Sequence, residues 1–126
     1  MKLTVHHYPG CSTCKKSIAW LRQRGVSFQA TDLVETPPSQ AELKRLWGAS
    51  GRPLSAFFNT SGVSYREGNF KERLPALSDD EKLAALAADG KLIKRPLLVR
   101  EGGPRLAVAV GFREDEWEAL LGGQKL

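Results

Sequence analysis

The chain has 126 residues, of which 41% are hydrophobic and 26% charged. That length suits one domain that buries a core of its own, so we expect a single domain over residues 1–126. No stretch reaches the ~20 apolar residues that cross a bilayer, and residues 1–8 lack the apolar run of a signal peptide. We therefore expect a cytoplasmic protein with no membrane partner.

The net charge is +5, from 19 Lys and Arg residues against 14 Asp and Glu residues. A basic balance of this size suits anionic small substrates or acidic protein surfaces. The basic residues are scattered along the chain and form no block of five or more. We therefore predict no direct binding of nucleic acid.

The first thirty residues predict a strand, a helix and a second strand. Residues 3–7 alternate around a β-branched centre, and Tyr8-Pro9-Gly10 then breaks the chain. A helical period begins at Ser12, with Ile18, Trp20 and Leu21 facing the core, and Gly25 ends it. Residues 26–33 predict the second strand. Such a unit favours parallel pairing and an α/β fold.

The rest of the chain predicts several helices and then a β-hairpin with a final helix. Ser39 and Ser78 each stand three residues before a Glu, as the first residues of capping boxes do. Residues 63–77 show no clear period. The predicted elements are a helix from Ser39 to Gly48–Gly51, a helical turn over 53–58, a helix from Ser78 closed by Gly90, strands over 97–99 and 106–110 around Gly102-Gly103-Pro104, and a helix over 114–121.

The two cysteines, Cys11 and Cys14, lie within four residues of each other. A reduced cytosolic pair this close is no disulfide framework, so it is catalytic, redox-sensing or metal-binding, or else two ordinary cysteines at a helix start. Cys11 directly precedes the predicted helix, where unpaired N–H groups and the helix dipole favour a thiolate over a thiol. Such positions lower the ~8.5 pKa of a free cysteine.

This placement predicts Cys11 as a nucleophile and Cys14, one helical turn on, as the thiol that attacks a mixed disulfide at Cys11. Lys15 and Lys16 add positive potential near the sulfur. A zinc site is an alternative, but His6 and His7 point to opposite faces of a strand, and a second ligand pair is missing. His7 either points toward Cys11 or lies half in solvent at the strand end.

The run from His7 to Lys16, HYPGCSTCKK, resembles the active-site segment of glutaredoxin-coupled arsenate reductases and of Spx-type transcriptional regulators. Residues 36–39 (TPPS), residues 92–97 (LIKRPL) and the final hairpin continue the likeness over nearly the whole chain. The resemblance implies a thioredoxin-like mixed sheet (βαβ … αββα) with an inserted helical segment at about residues 39–90.

The same resemblance assigns roles to individual residues. Cys11 matches the family nucleophile, and His7 matches a histidine that assists it. Arg95 matches an arginine that faces the cysteine sulfur or a bound oxyanion, and the peptide before Pro96 would be cis. A guanidinium is a permanent forked donor suited to either anion.

The chain departs from true arsenate reductases at three positions. Two further oxyanion-binding arginines of those reductases correspond to Asn59 and Gly111, and Cys14 stands where they have a serine. Each lost charge-assisted contact is worth ~1.5–3 kcal/mol. Residual arsenate reduction would need Arg66 or Arg113 as a substitute donor.

Two hypotheses of different class follow from the likeness. The first is a thiol-dependent oxidoreductase for a small oxyanion or disulfide, reduced by glutathione, glutaredoxin or thioredoxin, with no bound cofactor. The second is an Spx-type redox switch that binds the RNA polymerase α subunit. Gly51 matches a glycine of the regulators' polymerase-contact loop, but a helix C-cap is the preferred interpretation.

Overall fold

The structure is a computed structural model that describes residues 2–122. Its four strands form one mixed sheet in the order β2-β1-β3-β4: β1 (Lys2–His7), β2 (Gln29–Asp32), β3 (Leu97–Glu101) and β4 (Ala107–Val110). Strand β1 pairs parallel with β2 and antiparallel with β3, and β3 pairs antiparallel with β4. The predicted α/β class and the hairpin are confirmed.

In the described part of the chain six α-helices surround this sheet, and four of them lie between β2 and β3. They are α1 (Ser12–Gln23), α2 (Gln40–Ser50), α3 (Val63–Glu67), α4 (Phe70–Arg73), α5 (Asp79–Ala88) and α6 (Glu114–Leu121). Short 3₁₀ turns cover Leu54–Phe57, Leu74–Ala76 and Gly90–Leu92. Helices α3 and α4 and the second turn therefore fill the segment without a clear period. Within residues 2–122 no helix is long and apolar enough to span a membrane.

A hydrophobic core lies on each face of the sheet. One core joins α1 and α6 to the sheet through Val5, Leu21 and Trp117, which are fully buried. The other joins the segment between β2 and β3 to the sheet through residues such as Phe57 and Leu97. Burying a large apolar side chain contributes ~1.5–3 kcal/mol, and the first core anchors β1 through Leu3 and Val5.

The second strand is shorter than the sequence predicts. It covers Gln29–Asp32 rather than residues 26–33, because Val26 and Phe28 pack against the α1–α6 core from the preceding loop. Their apolar character reflects this packing and not a place in the ladder.

The helix ends follow the sequence signals with two corrections. Gly51 has φ +69° and ends α2, and Ser78 with Glu81 forms a complete capping box at α5. Ser39 Oγ accepts from the Glu42 N–H, but the Glu42 carboxylate binds Arg45 instead of closing a box. Helix α5 ends before Gly90, where a Cβ would lie 1.9 Å from the Leu33 carbonyl oxygen. Gly90 is thus required by close packing, not by the helix end.

Candidate active site around Cys11

Cys11 is held at the start of α1 by backbone hydrogen bonds on both sides. Its N–H donates to the Tyr8 carbonyl (2.9 Å), and its own carbonyl accepts from the Lys15 N–H (3.1 Å). The Cys11 backbone is extended, as the residue before a helix usually is. At Gly10 a Cβ would lie 2.9 Å from the Tyr8 ring, so the turn before Cys11 leaves little room for a side chain.

The sulfur of Cys11 acts as the cap of the helix. Sγ accepts the Cys14 N–H at 3.3 Å, and the side chain is only partly exposed. Partial burial by itself raises the pKa of the Cys11 thiol. Hydrogen bonds from the Cys14 thiol and N–H, together with the Arg95 charge, outweigh it and lower the pKa below that of an ordinary cysteine.

Cys14 lies in the opposite environment, one turn further along α1. It is fully buried, and both cysteines are free thiols. Burial, its hydrogen bond to Cys11 and the negative charge there raise the pKa of Cys14 to about 12. The two thiols are therefore adjacent but unequal: Cys11 favours the thiolate and Cys14 holds its proton.

Arg95 lies beside this pair, two residues before β3 begins. The Arg95–Pro96 peptide is cis, as the resemblance implies. Arg95 Nη1 donates to the Lys91 carbonyl (3.1 Å) and, at 3.5 Å, to that of Ile93, and the guanidinium carbon is 5.1 Å from the Tyr8 ring centroid. These contacts fix a permanent positive charge close enough to lower the Cys11 pKa.

His7 ends β1, directly before the turn that carries Cys11. Strand alternation places it on the face of Leu3 and Val5, opposite His6. Among residues 2–122, the groups that lower the Cys11 pKa are Cys14 and Arg95, and His7 is not one of them. A role for His7 in assisting Cys11 stays a prediction.

Asn59 and Gly111 carry no positive charge at the two positions where the resemblance to arsenate reductases implies arginines. The Asn59 N–H donates to the Leu92 carbonyl (2.8 Å), and its Oδ1 accepts from Ser61 Oγ (3.4 Å). The Gly111 N–H donates to the Pro96 carbonyl (2.8 Å), and Gly111 has φ +80°, which favours glycine. The described contacts of both residues therefore support the local chain conformation and supply no positive charge.

The substitute donors considered for an oxyanion are engaged elsewhere. Arg66 Nη1 donates to the Ser61 carbonyl at 3.0 Å. Arg113 Nη1 lies 3.5 Å from a carboxylate oxygen of Glu116, and Arg113 lines a separate cleft of about 300 Å³ together with Gly111. The described contacts therefore bring neither guanidinium to Cys11.

A second cavity, of about 320 Å³, lies beside Tyr8 and Arg95, and no sequence motif predicts it. Tyr8 and Arg95 connect it to the Cys11 site. Its lining comes from three separate parts of the chain, so no local motif marks it. The lining residues are Tyr8, Gly62, Val63, Ser64, Glu67, Lys91 and Arg95.

Comparison with known proteins agrees with this architecture. The ArsC family model matches residues 6–120. The chain is 49% identical over 118 residues to the uncharacterized protein YusI of Bacillus subtilis, covering 94% of this chain and 97% of that one. It is 31% identical over 106 residues to an arsenate reductase of Rhizobium meliloti, covering 84% and 74%.

More distant and structural relatives extend the same picture. A global transcriptional regulator Spx of Streptococcus mutans is 24% identical over 119 residues, covering 94% of this chain and 82% of that one. The crystal structure of an ArsC-family-related protein from Bacteroides fragilis superposes with a TM-score of 0.89 at 42% identity, covering 95% and 98%. The expected thioredoxin-like fold is thus confirmed, and the chain belongs to the ArsC family.

Proposed function

We propose that this protein is a thiol-dependent oxidoreductase in which Cys11 is the nucleophile and Cys14 the resolving thiol. The observation that carries the proposal is the contact between Cys11 Sγ and the Cys14 N–H, with the pKa values of the two thiols shifted in opposite directions. A thiolate is the reactive species in thiol–disulfide exchange, and the partner thiol has to stay protonated until it is needed.

The unequal thiols support a two-step reaction. The Cys11 thiolate attacks one sulfur of a disulfide substrate, a Cys11–substrate bond forms, and the other half leaves as a thiolate with the bonding electron pair. Cys14 then gives its proton to solvent or the leaving group, attacks Cys11 Sγ, and releases the second thiolate. The protein loses two electrons and the substrate gains them.

The first step itself prepares the second. The hydrogen bond to Cys11 and the negative charge of that sulfur both help to raise the Cys14 pKa. Once Cys11 is bonded to substrate its sulfur is neutral, so the repulsion disappears and Cys14 ionises more readily. Arg95 supplies positive charge for the sulfur anion that is displaced at each step. Glutathione, glutaredoxin or thioredoxin would then reduce the Cys11–Cys14 disulfide.

Arsenate is a poorer candidate substrate than a disulfide. A relative of this chain is named arsenate reductase, but Asn59 and Gly111 carry no charge at the positions where the resemblance implies arginines. Two lost charge-assisted contacts of ~1.5–3 kcal/mol each would weaken oxyanion binding by orders of magnitude. We infer that arsenate is turned over slowly or not at all.

The test is turnover of 2-hydroxyethyl disulfide and of arsenate with each of the three thiol donors. We expect disulfide reduction by the native protein, none by Cys11→Ser, and a trapped mixed disulfide in Cys14→Ser, seen as a mass increase on Cys11. Arsenate turnover exceeding disulfide turnover would overturn the substrate assignment. Undiminished turnover in Cys11→Ser would overturn the mechanism.

A redox-switched regulator is the second candidate, favoured by the similarity to Spx. Oxidation of adjacent Cys11 and Cys14 would change the start of α1, because Cys11 Sγ caps that helix. The regulator hypothesis predicts no turnover with any donor. It also predicts that immobilised RNA polymerase α subunit retains the protein to a different extent before and after oxidation, a difference that the double variant Cys11→Ser/Cys14→Ser lacks.

A further inference from the structure

The cavity beside Tyr8 and Arg95 is suited to an organic ligand rather than to a small inorganic ion. Its volume of about 320 Å³ lies within the ~300–1,000 Å³ range of small-molecule pockets. Two of its lining residues interact with Cys11: the Tyr8 carbonyl accepts the Cys11 N–H, and the Arg95 charge lowers the Cys11 pKa. The cavity and the Cys11 site therefore share two residues, Tyr8 and Arg95, although Cys11 itself does not line the cavity.

The charges of the lining favour an anionic ligand. Lys91 and Arg95 carry positive charge, and Glu67 carries the one carboxylate of the lining. Arg95 is fixed by its hydrogen bonds to two carbonyl groups, whereas the Lys91 side chain is exposed and adaptable. A planar guanidinium and a flexible ammonium together suit a carboxylate.

The lining also offers apolar contact for a carbon chain. Val63 is 57% exposed and lines this cavity together with Ser64. An apolar group between polar groups that fix orientation is typical of small-molecule sites.

We propose that this cavity binds the organic part of a small carboxylate-bearing disulfide, with the carboxylate at Lys91 and Arg95, while its sulfur exchanges with Cys11. The inference rests on the proposed function, since it takes Cys11 as the nucleophile. In the exchange the Cys11–sulfur bond forms, the substrate S–S bond breaks, and the displaced half leaves as a thiolate. The carboxylate takes no part in the electron transfer and only orients the substrate.

Three symmetric disulfides of matched length test the proposal. They are 3,3′-dithiodipropionate, 2-hydroxyethyl disulfide and cystamine, which carry a carboxylate, a hydroxyl and an ammonium group at comparable positions. The rate of mixed-disulfide formation at Cys11 is measured in Cys14→Ser protein, where resolution is blocked. Each rate is divided by that of a free low-molecular-weight thiol, so that reagent chemistry cancels.

We expect the normalised rate to be highest for the dicarboxylate and lowest for cystamine. Lys91→Gln should reduce the carboxylate-to-ammonium rate ratio about threefold to tenfold, and Glu67→Gln should increase it. Lys44→Gln is the matched control, because Lys44 is an exposed lysine on α2 that does not line the cavity. It should change the ratio much less than Lys91→Gln does.

The possible results distinguish failure of the cavity assignment from failure of the proposed oxidoreductase function. If Lys91→Gln and Lys44→Gln change the ratio equally, the preference comes from the net charge of the protein and the cavity assignment is wrong. If 2-hydroxyethyl disulfide reacts quickly but the ratio is insensitive to Lys91 and Glu67, the cavity assignment alone fails. If 2-hydroxyethyl disulfide reacts no faster with Cys11 than with a free thiol, both the proposed function and this inference fail.

Discussion

Helices α1 and α5 begin with the same local arrangement and put it to different use. At α5, Ser78 Oγ accepts the Glu81 N–H (3.1 Å), and the Glu81 carboxylate accepts the Ser78 N–H (2.9 Å). At α1 the acceptor is the sulfur of Cys11, which takes the Cys14 N–H at 3.3 Å. A hydroxyl cap stabilises a helix, whereas a thiol cap also makes the helix stabilise a sulfur anion.

The charges in the first turns follow the same division. The first turn of α5 holds Asp79, Asp80 and Glu81, which complement the positive end of its dipole. The first turn of α1 holds no acidic residue, and Lys15 and Lys16 follow in its second turn. The positive potential of α1 thus stays available to Cys11. The same cap geometry stabilises the helix at α5 and activates a thiol at α1. The charges of the neighbouring side chains determine which of these two effects dominates.

The largest effect is expected when the charge beside the thiol cap is removed. Arg95→Gln should raise the Cys11 pKa and slow alkylation by iodoacetamide at neutral pH about tenfold. That factor corresponds to ~1.4 kcal/mol, just below the range for charge-assisted hydrogen bonds because the sulfur is partly in solvent. Arg66→Gln removes an exposed arginine bound to the Ser61 carbonyl and is the control. Equal slowing in both variants would contradict a specific role for Arg95.

The Ser78 hydroxyl that caps α5 should affect the stability of the fold and not the reactivity of Cys11. Ser78→Ala should lower the free energy of unfolding by ~1 kcal/mol, as loss of a helix cap does, with no change in Cys11 alkylation rate. Ser39→Ala should lower the free energy of unfolding by less, because the Glu42 carboxylate binds Arg45 and does not accept the Ser39 N–H. Urea denaturation and alkylation of the same samples check both expectations. A slower alkylation in Ser78→Ala would mean that the two helix starts are coupled.

Placing a carboxylate in the first turn of α1 should make it resemble α5. Ser12→Asp should raise the Cys11 pKa through a like-charge interaction and slow alkylation about twofold, from an effect of ~0.3–1 kcal/mol at an exposed helix start. Ser12→Asn has a similar shape without the charge and is the control. A rate unaffected by Ser12→Asp would show that the potential of α1 does not govern the sulfur.

The smallest effect concerns the opposite face of β1, where the half-buried His6 lies. Burial lowers the His6 pKa from 6.5, although Glu42 and Glu101 raise it in part, while His7 lowers it further. Below pH ~6.5 the unfolded chain binds a proton that the native protein resists, so the free energy of unfolding should fall with acidification. His6→Gln should flatten this dependence in urea denaturation, and His7→Gln, which removes only the smallest contribution to the lowered His6 pKa, should flatten it much less. A steeper fall in His6→Gln would contradict the assigned direction.

Local signals in the sequence determine only part of this fold. The strand–turn–helix around Cys11 and the helix starts at Ser39 and Ser78 depend on residues within a few positions of each other, so they were predictable. Helices of five and four residues, as in residues 63–73, are too short to display a helical period. Val26 and Phe28 showed that apolar residues before a strand need not belong to it.

The chemistry of the site was predictable in part for the same reason. The adjacency of Cys11 and Cys14 follows from their spacing, and Arg95 was placed by resemblance. The burial that separates the two thiols depends on tertiary packing, as does the convergence of Tyr8, Glu67 and Lys91 on one cavity. No local pattern encodes contacts between segments that lie so far apart along the chain.

The most direct measurement is the pH dependence of alkylation at each cysteine, followed by mass spectrometry of the separated peptides. We predict that Cys11 reacts with a midpoint below that of a free cysteine in an unfolded peptide of the same sequence, while Cys14 stays unmodified into strongly alkaline solution. A Cys11 midpoint at or above that of a free cysteine, or faster modification of Cys14 than of Cys11, would contradict this prediction.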